Sequence, residues 1–152
     1  MEFTVTSPID GSVYATHRYH EWGEVEDMVE AGGKAFREWS ERSAEERIAV
    51  LSKWVDTFSE QREEPSRDLT FQMGRPCSEA PLEIDEFVAR SRRVLELAPE
   101  VLADYDKRER GSLRHFISPE PLGLVLVQAG WNYPYIISAH SVLPALVSGN
   151  CV

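Results

Sequence analysis

Residues 121–150 read PLGLVLVQAGWNYPYIISAHSVLPALVSGN, and this stretch decides the fold. Leu122–Val127 is a continuous apolar run, which favours a strand that is buried on both faces in a parallel sheet. Tyr135–Val147 follows as a predicted helix that a Gly-Asn dipeptide ends, and a new strand opens at Cys151. Strand, helix and strand in this order predict the first unit of an open α/β sheet.

The same stretch admits a second interpretation, a membrane span over residues 121–148. A membrane helix needs about 20 consecutive apolar residues. Three prolines and several polar side chains interrupt the run, and the break falls in its middle. A strand, a loop and a helix explain the break better, so no membrane association is expected.

The first 18 residues alternate loosely between apolar and polar side chains around Asp10-Gly11. Because this dipeptide supplies the positive φ of a tight turn, Thr4–Val5 and Val13–His17 are predicted to pair as short strands. Residues 1–18 therefore form an N-terminal β segment in this prediction.

Residues 19–112 show the periodicity of helices, with apolar side chains recurring every three or four positions. In the first two stretches these side chains are Val25, Met28, Val29, Gly32, Phe36 and Trp39, and then Ile48, Leu51, Val55 and Phe58. In the third stretch, Leu82–Ala98, they are Ile84, Phe87, Val88, Ser91, Leu95 and Ala98. The spacing predicts that each set lies on one helix face, with the third set facing inward.

Short local signals mark the ends of these helices. Ser43 and Glu46 form a capping box at the start of the second helix. Pro65 is disfavoured inside a helix, so a short helix is predicted to start near it. Met73-Gly74-Arg75-Pro76 predicts a helix stop and a turn. The polar stretch Asp104–Ser112 is predicted to be a loop.

The charge is acidic and unevenly distributed. The formal net charge is −10 and the pI is near 4.9, which argues against binding to nucleic acid or to anionic lipid. Residues 111–152 hold two formally charged side chains, Arg114 and Glu120, which cancel. The change in composition separates a solvated region from a buried one.

Cys77 and Cys151 are too few for a disulfide scaffold, and they show no metal-ligand spacing with the four histidines. No metal site is therefore expected. The first residues lack a basic and apolar secretory leader, so a reducing, cytoplasmic setting is expected.

Three motifs in register carry a resemblance to a known family. They are Pro121-Leu122-Gly123, Trp131-Asn132-Tyr133-Pro134, and Pro144-Ala145-Leu146 with Gly149-Asn150. Weaker matches lie upstream, where Ser7–Gly11, Ala35–Trp39, Glu45–Arg47 and Met73–Pro76 are similar to "NPATG", "AFxxW", "ERxxxL" and "TGKP". The chain resembles the NAD(P)-dependent aldehyde dehydrogenase superfamily over nearly its whole length.

The resemblance implies an oxidoreductase that converts an aldehyde to a carboxylic acid with NAD or NADP. In the family, a cysteine thiolate adds to the carbonyl, and hydride then leaves the thiohemiacetal for the cofactor. The Asn of the WNYP tetrapeptide donates its amide to the oxyanion, which matches Asn132 here. Without the family match, Asn132 reads as a turn residue before Pro134 that satisfies the backbone.

The neighbours of Asn132 match further family positions. Gln128, Ala129, Gly130 and Trp131 match residues that run beside the nicotinamide half of the cofactor, and Tyr133 matches an aromatic of the substrate channel. Core packing also explains Trp131, and a buried ring with a bonded hydroxyl also explains Tyr133. Both alternatives stay open.

The chain departs from the family pattern at several positions. Many members have Pro where Gly130 stands, and some have Lys where Ser141 stands. His140 is interpreted as an ordinary helix residue rather than a base. Cys77 and Cys151 match no nucleophile and are interpreted as semi-buried thiols.

In the family, the ribose-binding Lys-Pro segment, the pyrophosphate loop, the general base, the reactive Cys and the oligomerisation arm all lie further downstream. The chain is therefore expected to be an inactive N-terminal piece of a homo-oligomeric parent, a dimer or tetramer. Residues 19–112 would be the helical region and residues 113–152 the truncated start of a Rossmann-like NAD(P)-binding domain. One alternative is a non-catalytic interaction or regulatory remnant of the family, and another is an unrelated helical binding protein.

Overall fold

The computed structural model describes residues 1–152, apart from the side chain at position 110. In chain order, the elements are β1 (Glu2–Thr6), β2 (Val13–Arg18), α1 (Trp22–Ser40), α2 (Ala44–Glu60), α3 (Glu63–Met73), α4 (Ala80–Val101), β3 (Tyr105–Arg110), β4 (Leu113–Ile117), α5 (Pro134–Ala139) and α6 (Val142–Val147). The mixture of helices and small sheets agrees with the predicted α/β class. The division into segments at residues 18 and 112 stays a prediction.

The N-terminal hairpin forms as the sequence predicts. β1 pairs with β2 in antiparallel fashion, and Gly11 takes a φ of 75° in the turn between them. The hairpin packs on α3, where the ring of Tyr14 stacks on that of Phe71 with centroids 5.6 Å apart. The Tyr14 hydroxyl donates a hydrogen bond to Asp68. These contacts fix the hairpin against the helices.

The core is helical. Its larger buried cluster joins α2 and α4 to the two short helices α5 and α6, and consists of Leu51, Val55, Phe87, Val88, Leu95, Ala98, Ala139, Leu143 and Val147. A smaller cluster of Leu69, Ala80 and Ile84 joins α3 to α4. All six positions predicted to face inward on α4 are buried, which confirms that helix face. One apolar core thus ties residues 124–151 to the upstream helices.

Two helix boundaries follow the predicted signals. The hydroxyl of Ser43 accepts the Glu46 N–H at 3.2 Å, and the Glu46 carboxylate accepts the Ser43 N–H at 2.8 Å. Gly74 ends α3 with a φ of 78°, a left-handed conformation that glycine adopts without steric cost. The capping box and the helix stop are therefore confirmed.

The face predicted on α1 is largely uncovered. No described residue of α1 is buried, and Met28 and Val29 are more than half exposed. Helix α1 meets the apolar run at Gly32, where a Cβ would lie 2.7 Å from Leu124 Cδ1, and its Trp39 packs against the larger core cluster. The absence of a side chain at Gly32 allows this close approach.

The loop predicted over residues 104–112 is wrong. β3 and β4 form an antiparallel hairpin there, with Gly111 at a φ of 61° in the turn. β4 is exposed along its whole length. Because neither of its faces is buried, its sequence lacks the apolar alternation that indicates a strand. The polar sequence hid the hairpin for this reason.

The predicted helix Tyr135–Val147 is two helices, with a break at His140 and Ser141. Pro144 explains the break, because it has no N–H for the carbonyl of His140 and its ring crowds that carbonyl. Pro144 instead occupies the first turn of α6, where its missing donor costs nothing.

The apolar run Leu122–Val127 forms a single bridge rather than a full strand, and it is not buried on both faces as predicted. Leu124 makes an isolated parallel bridge with Cys151, and Leu122 and Leu126 are almost fully exposed. Within the described chain, the run has a partner along one short edge and helices on one side, so half of its side chains remain uncovered. The parallel bridge agrees with the predicted strand–helix–strand order.

Candidate active site

The six candidate site residues are consecutive and form the loop between the parallel bridge and α5. Gln128, Ala129 and Asn132 are exposed, and Gly130 is half-buried. The loop follows the carboxyl end of the bridged strand, which is the end where open α/β sheets place ligands. The candidate residues therefore lie at the strand end where the sequence predicts them.

Trp131 and Tyr133 are not core residues in this structure. The Trp131 side chain is 83% exposed, so core packing does not account for it in the described chain. Tyr133 is almost half exposed, which disfavours a buried ring. Both aromatics are available at the surface of the loop.

The Asn132 amide has no hydrogen-bond partner among the described residues. Its Oδ1 lies beside Gly130, where a Cβ would approach it to 3.3 Å, and the same Cβ would meet Ile137 Cδ1 at 2.9 Å. Asn132 and Ile137 thus converge over the bare backbone of Gly130. A free, exposed amide can donate to a ligand without first breaking an internal bond.

The backbone of Asn132, in contrast, is firmly held. Arg75 Nη2 donates a hydrogen bond to the Asn132 carbonyl at 2.5 Å. The same guanidinium lies over the ring of Tyr133, with Cζ 4.2 Å from the centroid, a cation–π geometry. One side chain from the turn after α3 therefore contacts two successive residues of the loop.

Glu83 holds the other side of the same segment. Its Oε1 accepts the Tyr135 N–H at 3.1 Å, at the start of α5. Its Oε2 lies 3.1 Å from Arg75 Nη2, but no N–H points at this oxygen, so the contact is ionic rather than a directed hydrogen bond. The Glu83 side chain is 1% exposed and that of Arg75 is 10% exposed. A buried carboxylate in such a place requires a cation beside it.

A cleft of about 450 Å³ opens next to the loop. The residues that line it come from β1, α3 and the segment on both sides of Asn132, and are Val5, Asp68, Leu69, Gln72, Met73, Trp131, Pro134 and Tyr135. Burial raises the pKa of the Tyr135 hydroxyl, and the carboxylates of Asp68, Glu83 and Glu64 raise it further. Tyr135 is therefore a neutral hydroxyl at physiological pH.

Sequence reasoning missed Arg75 and Glu83 as parts of the site. A signal for Glu83 was available, since it lies one helical turn before Phe87 on the inward face of α4. A carboxylate on an apolar face indicates a buried cationic partner. The sequence did not say which of the sixteen basic side chains that partner is.

Comparison with known proteins decides the family. The sequence model of the aldehyde dehydrogenase family matches residues 1–152. The chain belongs to the aldehyde dehydrogenase family. Both its fold class and its three sequence motifs agree with this membership.

Individual relatives cover nearly all of the chain. It is 30% identical to a 3-sulfolactaldehyde dehydrogenase of Pseudomonas putida over 147 residues, which is 97% of this chain and 30% of the relative. It is 28% identical to the glutarate-semialdehyde dehydrogenase of P. putida KT2440 over 95% of the chain and 30% of the relative. The chain thus spans about 30% of the length of these curated relatives.

Solved structures give the same result. An NAD-dependent benzaldehyde dehydrogenase of Corynebacterium glutamicum superposes with a TM-score of 0.88 at 28% identity, over 99% of this chain and 33% of that one. An aldehyde dehydrogenase of Brucella melitensis biovar abortus 2308 superposes with a TM-score of 0.90 at 25% identity, over 99% and 31%. The fold of the described residues is therefore that of one region of a larger aldehyde dehydrogenase.

The two cysteines line cavities other than the cleft beside the loop. Cys77 lines a small cavity with Ser66, Arg67, Thr70 and Phe71, and Cys151 lines another with Trp39 and Leu51. Burial raises the pKa of the Cys151 thiol, which favours the unreactive protonated form. Neither thiol lines the cleft beside the loop.

The described residues hold neither a cluster of metal ligands nor a membrane-spanning helix. Apart from the undescribed side chain at position 110, no three His, Cys, Asp or Glu side chains come together as metal ligands would. Across the same residues, no helix combines the length and the apolar character needed to cross a bilayer.

Proposed function

We propose that this chain forms the N-terminal region of an NAD(P)-dependent aldehyde dehydrogenase, in which the Asn132 amide stabilises an oxyanion. The observation that carries the proposal is an uncommitted, exposed amide on a backbone that Arg75 holds in place, at the carboxyl end of a parallel strand. Family membership supports the reaction class. The nucleophilic thiol and the general base would come from residues outside this chain.

The chemistry requires a neutral donor at this position. When a thiolate adds to an aldehyde carbonyl, negative charge develops on the carbonyl oxygen, and pre-placed N–H groups lower the energy of that state. An amide donates without a positive charge that would hold the electron pair back from hydride transfer. Asn132 meets this need because its N–H groups have no partner to release among the described residues.

The loop before Asn132 suits the nicotinamide half of NAD(P). Gln128, Ala129 and Trp131 are exposed and uncharged, and the indole of Trp131 offers a planar apolar surface to a ring. Gln128, Ala129, Gly130 and Trp131 would hold the cofactor, which accepts the hydride when bound. Tyr133 would line the path of the aldehyde, beside the guanidinium of Arg75. A homo-oligomeric assembly stays a prediction from the family resemblance.

The first test removes the amide in a whole enzyme that contains residues 1–152. Asn132→Ala is expected to lower kcat by about 10²- to 10³-fold, the effect of losing one oxyanion donor. Gln61→Ala removes an exposed amide at the end of α2 and serves as the matched control, with unchanged kcat. Assays with a carboxylated and with an aromatic aldehyde show whether the loss is independent of substrate. An Asn132→Ala enzyme with full activity on both would exclude the oxyanion role.

The second test separates the enzyme region from the non-catalytic alternative. The 152-residue chain is expressed alone, melted, and titrated with NAD and NADP. The proposal expects no aldehyde oxidation and no tight cofactor binding. A sharp melting transition with micromolar affinity for either cofactor would instead favour an independent, ligand-binding protein.

A further inference from the structure

Two charged side chains hold the backbone directly after the proposed catalytic amide. Arg75 donates to the carbonyl of Asn132, and Glu83 accepts the N–H of Tyr135. The two grips are three residues apart in sequence and are joined by the Arg75–Glu83 ion pair at 3.1 Å. The segment between them begins at the carbonyl of Asn132 and carries the Tyr133 and Pro134 side chains, so the peptide plane that follows the Asn132 Cα has little freedom to turn.

We propose that Arg75 is a positioning residue that orients the Asn132 amide, with Glu83 as its anchor. The inference rests on the proposed function, because it concerns the orientation of an amide whose catalytic role is itself a proposal. Arg75 does not touch the aldehyde; it acts through the peptide plane of Asn132. Because Arg75 lies on the turn after α3, it links the position of the loop to that of the helical core.

The burial of the pair supports positioning rather than a surface contact. Exposed ion pairs are held loosely and contribute little. The Glu83 carboxylate is nearly inaccessible, and the Arg75 guanidinium is enclosed between it and the Tyr133 ring. A planar guanidinium can meet a carboxylate, a carbonyl and an aromatic face at the same time, whereas an ammonium cannot. The arrangement therefore fixes the loop in more than one direction.

This geometry predicts an order among the Arg75 variants. Arg75→Lys keeps the positive charge beside Glu83 but not the planar guanidinium that meets the Asn132 carbonyl and the Tyr133 ring together, so it is expected to lower kcat, but less than a neutral substitution does. Arg75→Met keeps much of the length but loses donor and charge. Because a misplacement of about 1 Å costs up to about 10²-fold, Arg75→Met is expected to lower kcat by about 10- to 100-fold.

The readout is the division of the effect between kcat and KM, measured in a whole enzyme that contains this chain. A misoriented amide no longer stabilises the transition state, so kcat is expected to fall while the KM for the cofactor stays within about twofold. Arg62→Met is the matched control, because it breaks an exposed pair of 2.7 Å with Asp85 between the same two helices. It is expected to leave kcat unchanged. Equal losses in Arg62→Met and Arg75→Met would reduce Arg75 to a structural role and overturn the proposal.

Arg75→Met alone leaves a buried carboxylate unpaired and can prevent folding. The double variant Arg75→Met with Glu83→Gln removes that charge, and the glutamine oxygen still accepts the Tyr135 N–H. It is expected to fold, as thermal melting will show, and still to lose kcat. A folded double variant with normal kcat would overturn the proposal.

A double-mutant cycle distinguishes the two proposals. If Arg75 acts through Asn132, adding Arg75→Met to Asn132→Ala is expected to cause less than about a twofold further loss, because the amide it aims is gone. If the two losses multiply, Arg75 acts by another route and the positioning proposal fails while the oxyanion role stands. If Asn132→Ala alone has no effect, the proposed function fails first.

Discussion

The side-chain oxygen of Asn150 accepts the backbone N–H of Leu122 at 2.6 Å. It also accepts the N–H of Gly123 at 3.0 Å, while its Nδ2 donates to the Ala145 carbonyl at 3.2 Å and the Ser148 hydroxyl at 3.0 Å. One buried amide thus joins the end of α6 to the start of the apolar run. Cys151, which makes the parallel bridge with Leu124, follows it directly.

Removal of this amide is expected to destabilise the strand–helix unit. Asn150→Ala removes the hydrogen bonds to two partly buried N–H groups, each contributing about 0.5–1.5 kcal/mol, so the free energy of unfolding should fall by about 1–3 kcal/mol. Ser148→Ala removes one acceptor of the same network and should cost less than half as much. Urea denaturation measures both variants, and equal stability of Asn150→Ala and wild type would contradict the role.

The apolar core gives a second stability prediction. Leu143 is fully buried at the junction of α6 with α2 and α4, so Leu143→Ala is expected to cost about 2–5 kcal/mol. Leu126 is 87% exposed, and Leu126→Ala is the matched control with a cost below about 0.5 kcal/mol. Similar costs for the two variants, measured by urea denaturation, would mean that Leu126 is covered in solution.

The ion pair between the hairpin and α1 predicts a pH dependence. The Arg18 guanidinium donates hydrogen bonds to the Glu24 carboxylate and holds its pKa at about 2, below the ordinary value of 4.5. Because the folded pKa is the lower one, the stabilisation is present above about pH 4.5 and disappears as the pH falls toward 2. The difference in Tm between wild type and Glu24→Gln should shrink over this window. A difference that stays constant from pH 7 to pH 2 would show that the pair adds nothing.

Periodicity predicted the elements with one buried face and failed where burial was incomplete. α4 was predicted with its inward face because six side chains meet the core there. The β3–β4 hairpin was missed because β4 has no buried side chain, so no alternation marks it. The division of α5 from α6 was readable from Pro144, although the apolar spacing on both sides suggested one helix.

The WNYP motif predicted the loop of the candidate site, but it did not predict the side chains that hold this loop in place. Six adjacent residues were predicted because they belong to the WNYP tetrapeptide or directly precede it. Arg75 contacts Asn132 across 57 positions of sequence, a contact that depends on how α3 and α4 pack. No local pattern encodes such a distance, whereas the carboxylate of Glu83 on an apolar helix face pointed to a missing partner.

The two cysteines are expected to react at different rates. Cys77 is exposed, whereas Cys151 is partly covered and burial raises the pKa of its thiol. Since the thiolate is the nucleophile, Cys151 should be alkylated by iodoacetamide more slowly than Cys77 at pH 8. Peptide mass spectrometry over a time course measures both rates. Faster labelling of Cys151 would mean that the segment at the end of α6 opens in solution.

The last prediction concerns the space beside the proposed catalytic amide. A Cβ at Gly130 would lie 3.3 Å from Asn132 Oδ1 and 2.9 Å from Ile137 Cδ1, so Gly130→Ala must displace one or both side chains. The Ile137 methyl can rotate away, but the amide must shift by a few tenths of an ångström. Because a shift of about 1 Å costs up to about 10²-fold, kcat is expected to fall by about three- to tenfold.

Gly33→Ala is the matched control for this substitution, because a Cβ there meets no atom within 4 Å. On α1 it should raise stability by about 0.5–1 kcal/mol through helix propensity and leave kcat unchanged. Steady-state kinetics of a whole enzyme that contains this chain compare the two alanine variants. If Gly130→Ala keeps wild-type kcat while Asn132→Ala does not, the amide tolerates the displacement. The orientation of the Asn132 amide would then be set by the backbone that Arg75 holds rather than by the space over Gly130.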